Sequence, residues 1–242
     1  MISFTTHDLL LFSRKEIWFY NNEPVDNFGY SVYISALQPP LDKSISLTRR
    51  QTLTIDLTKS EEELFSQIQA RTRSYINTGE KQNLKYKYDF HPTDADCEEV
   101  AKQFNKFARR KGILPINNKW MKAAQRSNSI CLTKMSSECK DIATHIYLLN
   151  TSRVILTHSF HDLDQTGSSS PANANKLMHW KDLILFKSKE IKCYDFGGAN
   201  PKLEGITGFK NKFGGDIAET YNYVKANYLI GMAVRLLKIF KK

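Results

Sequence analysis

The chain reads Tyr194-Asp195-Phe196-Gly197-Gly198 and, after six further residues, Gly205-Ile206-Thr207-Gly208-Phe209-Lys210-Asn211-Lys212-Phe213-Gly214-Gly215. This segment holds six of the eleven glycines of the protein. Glycines allow positive φ and let the backbone approach a ligand closely. At the end of a strand they leave N–H groups for an anion or a developing oxyanion, with Lys210 and Lys212 as nearby charges. The alternative is a surface turn, because the segment is neither a P-loop nor a G-x-G-x-x-G fingerprint.

The flanking segments predict the sheet to which this stretch belongs. Apolar residues at helical spacing predict a helix over residues 173–189, and a strand follows over residues 191–196. A strand over residues 218–224 and a helix over residues 228–241 end the chain. Upstream, three alternating runs with short polar turns predict an antiparallel meander over residues 129–135, 142–149 and 153–160.

The first half of the chain alternates strands with two well-marked helices. A capping box of Ser60 and Glu63 begins a helix that ends at Gly79. Thr93 begins a second helix, which Gly112 closes, and a short helix is expected over residues 118–126. Alternating runs predict strands over residues 17–20, 30–36, 52–57 and 84–91. This order predicts the α/β (α+β) class, with one twisted mixed central sheet and helices on both faces.

The two glycine-rich blocks also carry a family resemblance. Asp-Phe-Gly-Gly, followed by Gly-x-x-x-Phe-Lys-x-x-Phe-Gly-Gly, resembles the closing signature of the Fem family. These peptidoglycan-bridge aminoacyltransferases are relatives of the GNAT acyltransferases. The stretch from Glu61 to Lys87 is similar to the arginine-rich helix of that family, and Trp180 lies in a helix similar to the one before the signature strand. The resemblance covers residues 54–223 and implies a GNAT-like acyltransferase.

The chain departs from the family pattern in its first part. Typical Fem proteins hold two GNAT-like units, whereas only about 50 residues precede the matching region here. The sequence has no inserted coiled-coil arm of the kind that tRNA-binding members use. The expected organisation is a β-rich N-terminal region over residues 1–50, a truncated first unit. A GNAT-like domain over residues 51–225 and a basic amphipathic helix over residues 226–242 follow. This favours a short, single-unit member.

The resemblance implies transfer of an acetyl, acyl or aminoacyl group to an amine or hydroxyl of a cell-envelope sugar or a peptidoglycan-type precursor. No tightly bound cofactor is expected, because the donor is a substrate: acyl-CoA, an acyl carrier or an aminoacyl-tRNA. The acceptor is expected to be a nucleotide- or lipid-linked sugar. Nucleic acid is expected as a partner only in the form of a tRNA donor.

The candidate site residues follow from the signature and from nearby polar groups. Lys210 matches the lysine of the family's Phe-Lys pair, and the resemblance assigns it charge stabilisation at the reacting carbonyl or a donor phosphate. The candidate bases are Asp195, His158 and His161. Residues three apart on a strand point to opposite faces, so the two histidines predict no metal site. The expected donor- or acceptor-binding residues are Arg71, Arg73, Gly167, Ser168, Trp180, Tyr194, Gly197, Gly198, Phe209, Lys212, Gly214 and Gly215.

Each of these residues also has a purely structural interpretation. The two arginines can be the solvated end of a helix, and Asp195 can cap the turn at Gly197. Gly167 and Ser168 belong to a degenerate version of the GNAT pyrophosphate loop. Tyr194 can be a packing residue.

Composition excludes several classes of protein. The 242 residues include no window of 18 apolar residues, so no transmembrane helix is predicted. Residues 1–14 lack a basic start and carry Asp8, which is unlike a secretory signal. The four cysteines form no C-x-x-C pair and predict neither a disulfide scaffold nor a zinc site. A cytoplasmic protein is expected.

The net charge of +10 favours an anionic partner. Residues 225–242 carry five basic residues and no acid, with apolar residues at helical spacing. This tail predicts either a helix packed on the sheet or an interfacial anchor at the inner face of an anionic membrane. Two other functions stay open: a non-catalytic polyanion- or nucleic-acid-binding protein, and an inactive acyltransferase-like partner subunit.

Overall fold

The computed structural model describes residues 1–8, 12–21, 29–43, 45–137, 140–161, 171–198 and 204–226. They form two compact units, one of Thr52–Ala218 and one of Met1–Gln51 with the segment from Glu219 onward. The predicted tail helix and the loop with Gly167 and Ser168 lie outside the described residues. In the described part of the chain, no helix is long and apolar enough to cross a membrane.

In chain order the elements are β1 (Ile2–Asp8), β2 (Phe12–Trp18), β3 (Tyr30–Ala36), β4 (Leu47–Asp56), α1 (Glu61–Gln67), α2 (Ala70–Glu80), β5 (Lys85–Asp89), α3 (Asp94–Lys111), α4 (Asn118–Arg126), β6 (Ile130–Ser137), β7 (Lys140–Leu149), β8 (Arg153–His161), α5 (Pro171–Ser188), β9 (Cys193–Gly198), α6 (Glu204–Asn211) and β10 (Asp216–Ala226).

The smaller unit is a β-sheet with an aromatic core. β1 pairs antiparallel with β2, β2 pairs parallel with β3, and β3 pairs antiparallel with the second half of β10. Tyr33 of β3 stacks on Tyr223 of β10 with ring centroids 4.4 Å apart, and Tyr20 meets Tyr33 edge-on. Ile17 and Ala36 complete the buried cluster.

The larger unit contains a mixed sheet in the order β4-β9-β8-β7-β6-β5. The antiparallel meander of β6, β7 and β8 is confirmed, with β5 paired antiparallel at its edge. β8 and β9 are parallel, whereas β9 and β4 are antiparallel. The predicted α/β class with a mixed sheet is therefore confirmed.

Helices pack on both faces of this sheet. His145 and Tyr147 of β7 point toward α5, where the Tyr147 ring meets Phe186 with centroids 4.8 Å apart. Phe160 lies on the opposite face and meets Phe104 of α3 at 5.8 Å. The main core fills the α5 face; it includes Leu53, Ile55, Leu64, Ile68, Ile76, Leu177, Met178, Phe186, Tyr194, Phe196 and Phe213.

Two local predictions are wrong. The helix expected between Ser60 and Gly79 is two helices, because Ile68 and Gln69 are extended, with ψ of 134° and 138°. Tertiary hydrogen bonds hold this break: Arg73 donates to the carbonyl oxygens of Ser66 and Ile68, and the N–H of Gln69 donates to Lys212 at 2.9 Å. No helix is assigned to the glycine-rich segment from the sequence, yet residues 204–211 form α6.

Candidate functional site

The candidate site begins where strands β8 and β9 stop pairing. Within the described residues, their parallel ladder joins only Arg153, Val154 and Ile155 to the first three residues of β9. Both strands then continue, to His161 and Gly198. Backbone groups beyond the last pair are released from the ladder at the carboxyl ends of the strands. Ligands of open α/β sheets bind in such a crevice.

Gly197 lies two residues beyond the last paired residue of β9 and is still close to β8. Its φ is +71°, and a Cβ built on it would lie 2.8 Å from the carbonyl oxygen of Leu156. The close approach and the positive φ both require glycine here. The first glycine of the signature therefore has a backbone role that no other residue type can take without strain.

The side chain of Asp195 holds the backbone turn at Gly197 in place. Its buried carboxylate accepts hydrogen bonds from the N–H of Gly197 at 2.8 Å, from Arg153 Nη2 at 2.7 Å and from the hydroxyl of Thr52. The ion pair with Arg153 compensates the buried charge. The structure thus gives Asp195 a positioning role, and its predicted role as a base stays a prediction.

Lys210 reaches the same place from helix α6. Its ammonium donates to the carbonyl oxygens of Gly197 at 3.0 Å and Gly198 at 2.8 Å. Burial lowers the pKa of Lys210, and the carboxylate of Asp195 opposes that shift. An ammonium has three protons, so two hydrogen bonds leave one for a substrate oxygen. The structure brings Lys210, Asp195, Gly197 and Gly198 together at the end of β9.

An aromatic cluster supports α6 beside this position. The rings of Phe196, Phe209 and Phe213 each lie 5.3 Å from the ring of His179, measured between centroids. His179 is buried on α5, and burial, with His145 and Lys210 as further causes, lowers its pKa well below the ordinary value. His179 is therefore neutral, and its imidazole ring packs against the three phenylalanine rings. Phe209 anchors α6 in this cluster, next to Lys210.

A buried polar network continues from this cluster into the core. The carboxylate of Asp182 accepts hydrogen bonds from Tyr86 Oη, Tyr147 Oη and His145 Nδ1, each at 2.7 Å. Tyr147 Oη also lies 2.9 Å from Tyr194 Oη. Burial is the main cause that raises the pKa values of Tyr86, Tyr147 and Tyr194. The network ties β5, β7 and β9 to α5 and keeps the three phenols protonated.

The residues of this network also include potential metal ligands. His145, His179 and Asp182 offer ligand atoms within 4.8 Å of one another. However, Asp182 already accepts three hydrogen bonds, and His145 Nε2 lies 3.1 Å from Asn175 Oδ1. The two imidazole rings are 4.3 Å apart with an interplanar angle of 33°, so they lie over one another. Hydrogen bonding within the core accounts for these groups without an ion.

A cluster of cations surrounds one tyrosine on the surface of the larger unit. Arg71 Nε donates to Tyr75 Oη at 3.1 Å, and Lys176 Nζ lies 4.1 Å from the centroid of the Tyr75 ring. The hydrogen bond from Arg71 is the main cause that lowers the pKa of Tyr75, with Lys176 and Lys212 adding to it. Burial lowers the pKa of Lys176; Tyr75 opposes this shift, and Lys212 and Arg71 contribute to it. Three cations this close make a site for an anion.

The other predicted residues lie in varied surroundings. Arg73 binds the last carbonyls of α1, and the ring of Trp180 packs on Phe65 at 5.0 Å. The strand pattern predicts that His158 and His161 point to opposite faces, but both contact α3, the first at Phe104 and the second at Phe107, across the sheet from α5. Burial lowers the pKa of His158 to about 4. The structure does not bring these two histidines to Lys210.

Gly214 and Gly215 form the turn that leads from α6 into β10. Their φ values are +80° and +94°, and a Cβ on Gly215 would lie 2.4 Å from the carbonyl oxygen of Thr54. A Cβ on Gly214 would lie 2.9 Å from Gln67 Cβ at the end of α1. This second pair of glycines therefore serves close packing between the turn, β4 and α1.

Sequence reasoning missed the centre of the buried network and half of the cationic cluster. Asp182 directly precedes the apolar run from Leu183 to Phe186 in helix α5. An acid in such a position indicates a buried partner. Tyr75 and Lys176 gave no signal, because they meet only through the packing of α2 on α5.

Comparisons with known proteins establish the fold. No protein-family model and no curated protein matches the sequence. Among solved structures, FemX matches with a TM-score of 0.58 at 12% identity, over 84% of this chain and 68% of FemX. The C-terminal domain (DUF2156) of a putative lysylphosphatidylglycerol synthetase from Agrobacterium fabrum gives 0.56 at 10% identity, over 85% of this chain and 70% of that domain.

L-PGS from Bacillus licheniformis gives a TM-score of 0.54 at 10% identity, over 86% of this chain and 71% of that one. At such low identity the likeness concerns the fold. The chain therefore has a fold similar to that of FemX, as the glycine and lysine signature predicts.

Proposed function

We propose that this protein transfers an acyl or aminoacyl group from a thioester or ester donor to an amine or hydroxyl of a phosphate-bearing acceptor. The observation that supports the proposal is the ammonium of Lys210 on the carbonyls of Gly197 and Gly198, beyond the last pair of the parallel β8–β9 ladder. The FemX-like fold is consistent with this chemistry, because the neighbours named above include a domain of a putative lysylphosphatidylglycerol synthetase.

The donor carbonyl is proposed to lie beyond the last pair of the β8–β9 ladder. Its oxygen would accept a hydrogen bond from the third N–H of the Lys210 ammonium as the acceptor attacks and negative charge develops. Removing one such donor from an oxyanion site typically raises the barrier by about 3–4 kcal/mol. As the new C–N or C–O bond forms, the C–S or C–O bond of the donor breaks. The acceptor's proton passes to the leaving group, directly or through water.

The acceptor is proposed to be a nucleotide- or lipid-linked sugar, bound through its phosphate. The cationic cluster of Arg71, Lys176 and Lys212 around Tyr75 is suited to that group. Lys212 is two residues from Lys210, and its carbonyl oxygen accepts a hydrogen bond from the N–H of Gln69 just before α2. A phosphate on the cluster would therefore be tied to both α2 and α6.

A titration of thermal stability identifies the donor class. The ligands are acetyl-CoA, CoA and an uncharged tRNA pool, added to the wild type, to Lys210→Met and to Lys192→Met. Lys192 is exposed and lies outside the site, so Lys192→Met is the matched control. A ligand that binds the folded protein raises the melting temperature in proportion to the logarithm of its concentration.

Stabilisation by acetyl-CoA that grows with the logarithm of its concentration and is retained in Lys192→Met would identify a CoA thioester donor. Stabilisation by tRNA alone that is reduced in Lys210→Met would identify aminoacyl transfer, whereas the same stabilisation unchanged in Lys210→Met would indicate polyanion binding. If neither ligand stabilises the protein, an acyl carrier protein is tested as the donor. If no donor class gives turnover, the transferase proposal is wrong.

The cationic cluster also supports a second candidate function, polyanion binding without catalysis. This function predicts binding to random oligonucleotides that weakens steeply with salt. It also predicts that Arg71→Gln reduces this binding, whereas Lys210→Met does not. The effect of Lys210→Met therefore distinguishes the two functions.

A further inference from the structure

The loop between α3 and α4, residues 112–117, exposes two adjacent large apolar side chains. Leu114 is 88% exposed and Ile113 is 48% exposed. Leu114 is the most exposed large hydrophobic residue in the described part of the chain. Apolar residues that protrude together from a convex loop commonly mark a contact with a partner or a membrane.

The loop is held rigidly in this form. Gly112 ends α3 in the left-handed region with φ of +64°, and the N–H of Ile113 donates to Ala108 at 3.0 Å. The side chain of Asn105 binds both backbone groups of Ile116: it accepts from the N–H at 2.7 Å and donates to the carbonyl at 3.1 Å. Ile116 itself is buried. These hydrogen bonds therefore hold the loop in the conformation that exposes the side chains of Ile113 and Leu114.

Positive charge surrounds this apolar tip. Arg109, Arg110 and Lys111 form the last turn of α3, and Lys119 lies in the first turn of α4. Between Glu99 and Glu138 the sequence holds nine basic residues and no acid. Some of these cations pair with acids from elsewhere, such as Lys122 with Glu98. The residues from 109 to 119, which flank the tip, contain only positive charges.

We propose that this loop docks the protein on an anionic lipid surface, with Ile113 and Leu114 inserted among the lipids and the flanking cations at the headgroups. An apolar tip flanked by lysine and arginine fits the two layers of a bilayer interface, apolar chains below and anionic groups above. Two adjacent apolar side chains between cations suit insertion into lipid better than docking on a protein, which uses larger apolar areas. The contact does not depend on the proposed transfer reaction or on the tail helix.

Co-sedimentation of the full chain with vesicles tests the binding. Neutral phosphatidylcholine vesicles are compared with vesicles in which about one third of the lipid is phosphatidylglycerol. We expect the wild type to bind the anionic vesicles and the double variant Ile113→Ser, Leu114→Ser to bind them roughly tenfold more weakly. Ile217 is 51% exposed on β10, so Ile217→Ser is the matched control and should bind like the wild type. Unchanged binding of the double variant would overturn the proposal.

A tryptophan at the tip reports insertion directly and separates the loop from the tail. In the Leu114→Trp variant we expect anionic vesicles to shift the emission to the blue and brominated lipids to quench it. Ile217→Trp should show neither change. If Leu114→Trp is unaffected while the protein sediments with vesicles, another segment binds the lipid and the proposal is wrong. Loop-dependent binding to an acidic carrier protein, with no vesicle binding, would also overturn it and identify a protein partner.

Discussion

The ammonium of Lys210 donates a hydrogen bond to the carbonyl oxygen of Gly198 at 2.8 Å and so joins helix α6 to the end of strand β9. Two parts of the sequence signature are thus in direct contact, because the lysine of the second glycine-rich block binds the carbonyl oxygens of the two glycines in the first block. The contact fixes a positive charge where the sheet opens. A charge fixed before the reaction needs no reorganisation as the oxyanion develops.

The first prediction concerns this lysine. Lys210→Met keeps most of the apolar stem and removes the charge, so we expect kcat to fall roughly 10²–10³-fold, as for the loss of one oxyanion donor. Turnover is measured with the donor that the titration identifies. Lys192→Met should retain full turnover. A folded Lys210→Met variant with wild-type kcat would exclude the lysine from catalysis.

The second prediction separates the two glycines at the end of β9. Gly197→Ala places a Cβ 2.8 Å from the carbonyl oxygen of Leu156 at a positive φ. We expect it to lower the free energy of unfolding by about 2 kcal/mol or more. A Cβ on Gly198 meets no atom within 4 Å. Gly198→Ala should therefore change the free energy of unfolding by less than about 0.5 kcal/mol. Urea denaturation measures both, and equal effects would contradict this view of the turn.

The third prediction concerns the buried network. In Asp182→Asn an amide NH₂ replaces one carboxylate oxygen and meets a hydroxyl or ring N–H that needs an acceptor. We expect a loss of about 3 kcal/mol in the free energy of unfolding. Asp141 pairs with Lys134 at a partly exposed site, so Asp141→Asn should cost less than about 1 kcal/mol. If the two variants melt alike, Asp182 does not organise the core.

The fourth prediction concerns acid sensitivity. Burial lowers the pKa of His158 to about 4 from an ordinary value of 6.5. The unfolded chain therefore binds a proton at His158 before the folded protein does, and stability falls as pH drops from about 6.5 to about 4. Replacing the ring by one that cannot be protonated removes this contribution. His158→Phe should lose less stability than the wild type between pH 7 and pH 5.

The comparison is made by urea denaturation of both proteins at the two pH values. His179 also has a lowered pKa, but it is present in both proteins and cancels in the difference. The expected difference is between about 1 and 2 kcal/mol, because pH 5 lies about 1.5 units below the ordinary pKa and each unit corresponds to about 1.4 kcal/mol. Parallel pH profiles would show that His158 accepts a proton in the folded state as easily as in the unfolded one.

The sequence predicts those parts of the fold that depend on local chemistry. The capping box at Ser60, the helix start at Thr93 and the closing glycine at position 112 act within a few residues, and the structure contains all three. The break at Ile68 is not predictable in this way, because Lys212 and Arg73 supply its hydrogen bonds.

Helix α6 was missed for a related reason. Gly205 and Gly208 lower its intrinsic helix propensity. Phe209 packs in the aromatic cluster and Lys210 binds the end of β9, so tertiary contacts favour the helix. In the site, the signature located Lys210 and Gly197, whereas the buried network depends on side chains from four separate elements.

The last prediction concerns the cationic cluster and the acceptor. Arg71→Gln removes one of three charges around Tyr75 and the hydrogen bond to its hydroxyl. If an acceptor phosphate binds there, the KM for the acceptor should rise roughly tenfold, since about 1.4 kcal/mol is a typical loss for one charged hydrogen bond. The kcat should change little, because the phosphate is bound equally in the ground and transition states.

Lys81→Gln, an exposed change at the end of the same helix, is the matched control. Steady-state kinetics at two salt concentrations measure both constants, and the effect of Arg71→Gln should shrink at high salt. An unchanged KM in Arg71→Gln would exclude the cluster as the acceptor site, because loss of the Arg71 charge must weaken the binding of a phosphate that lies next to it.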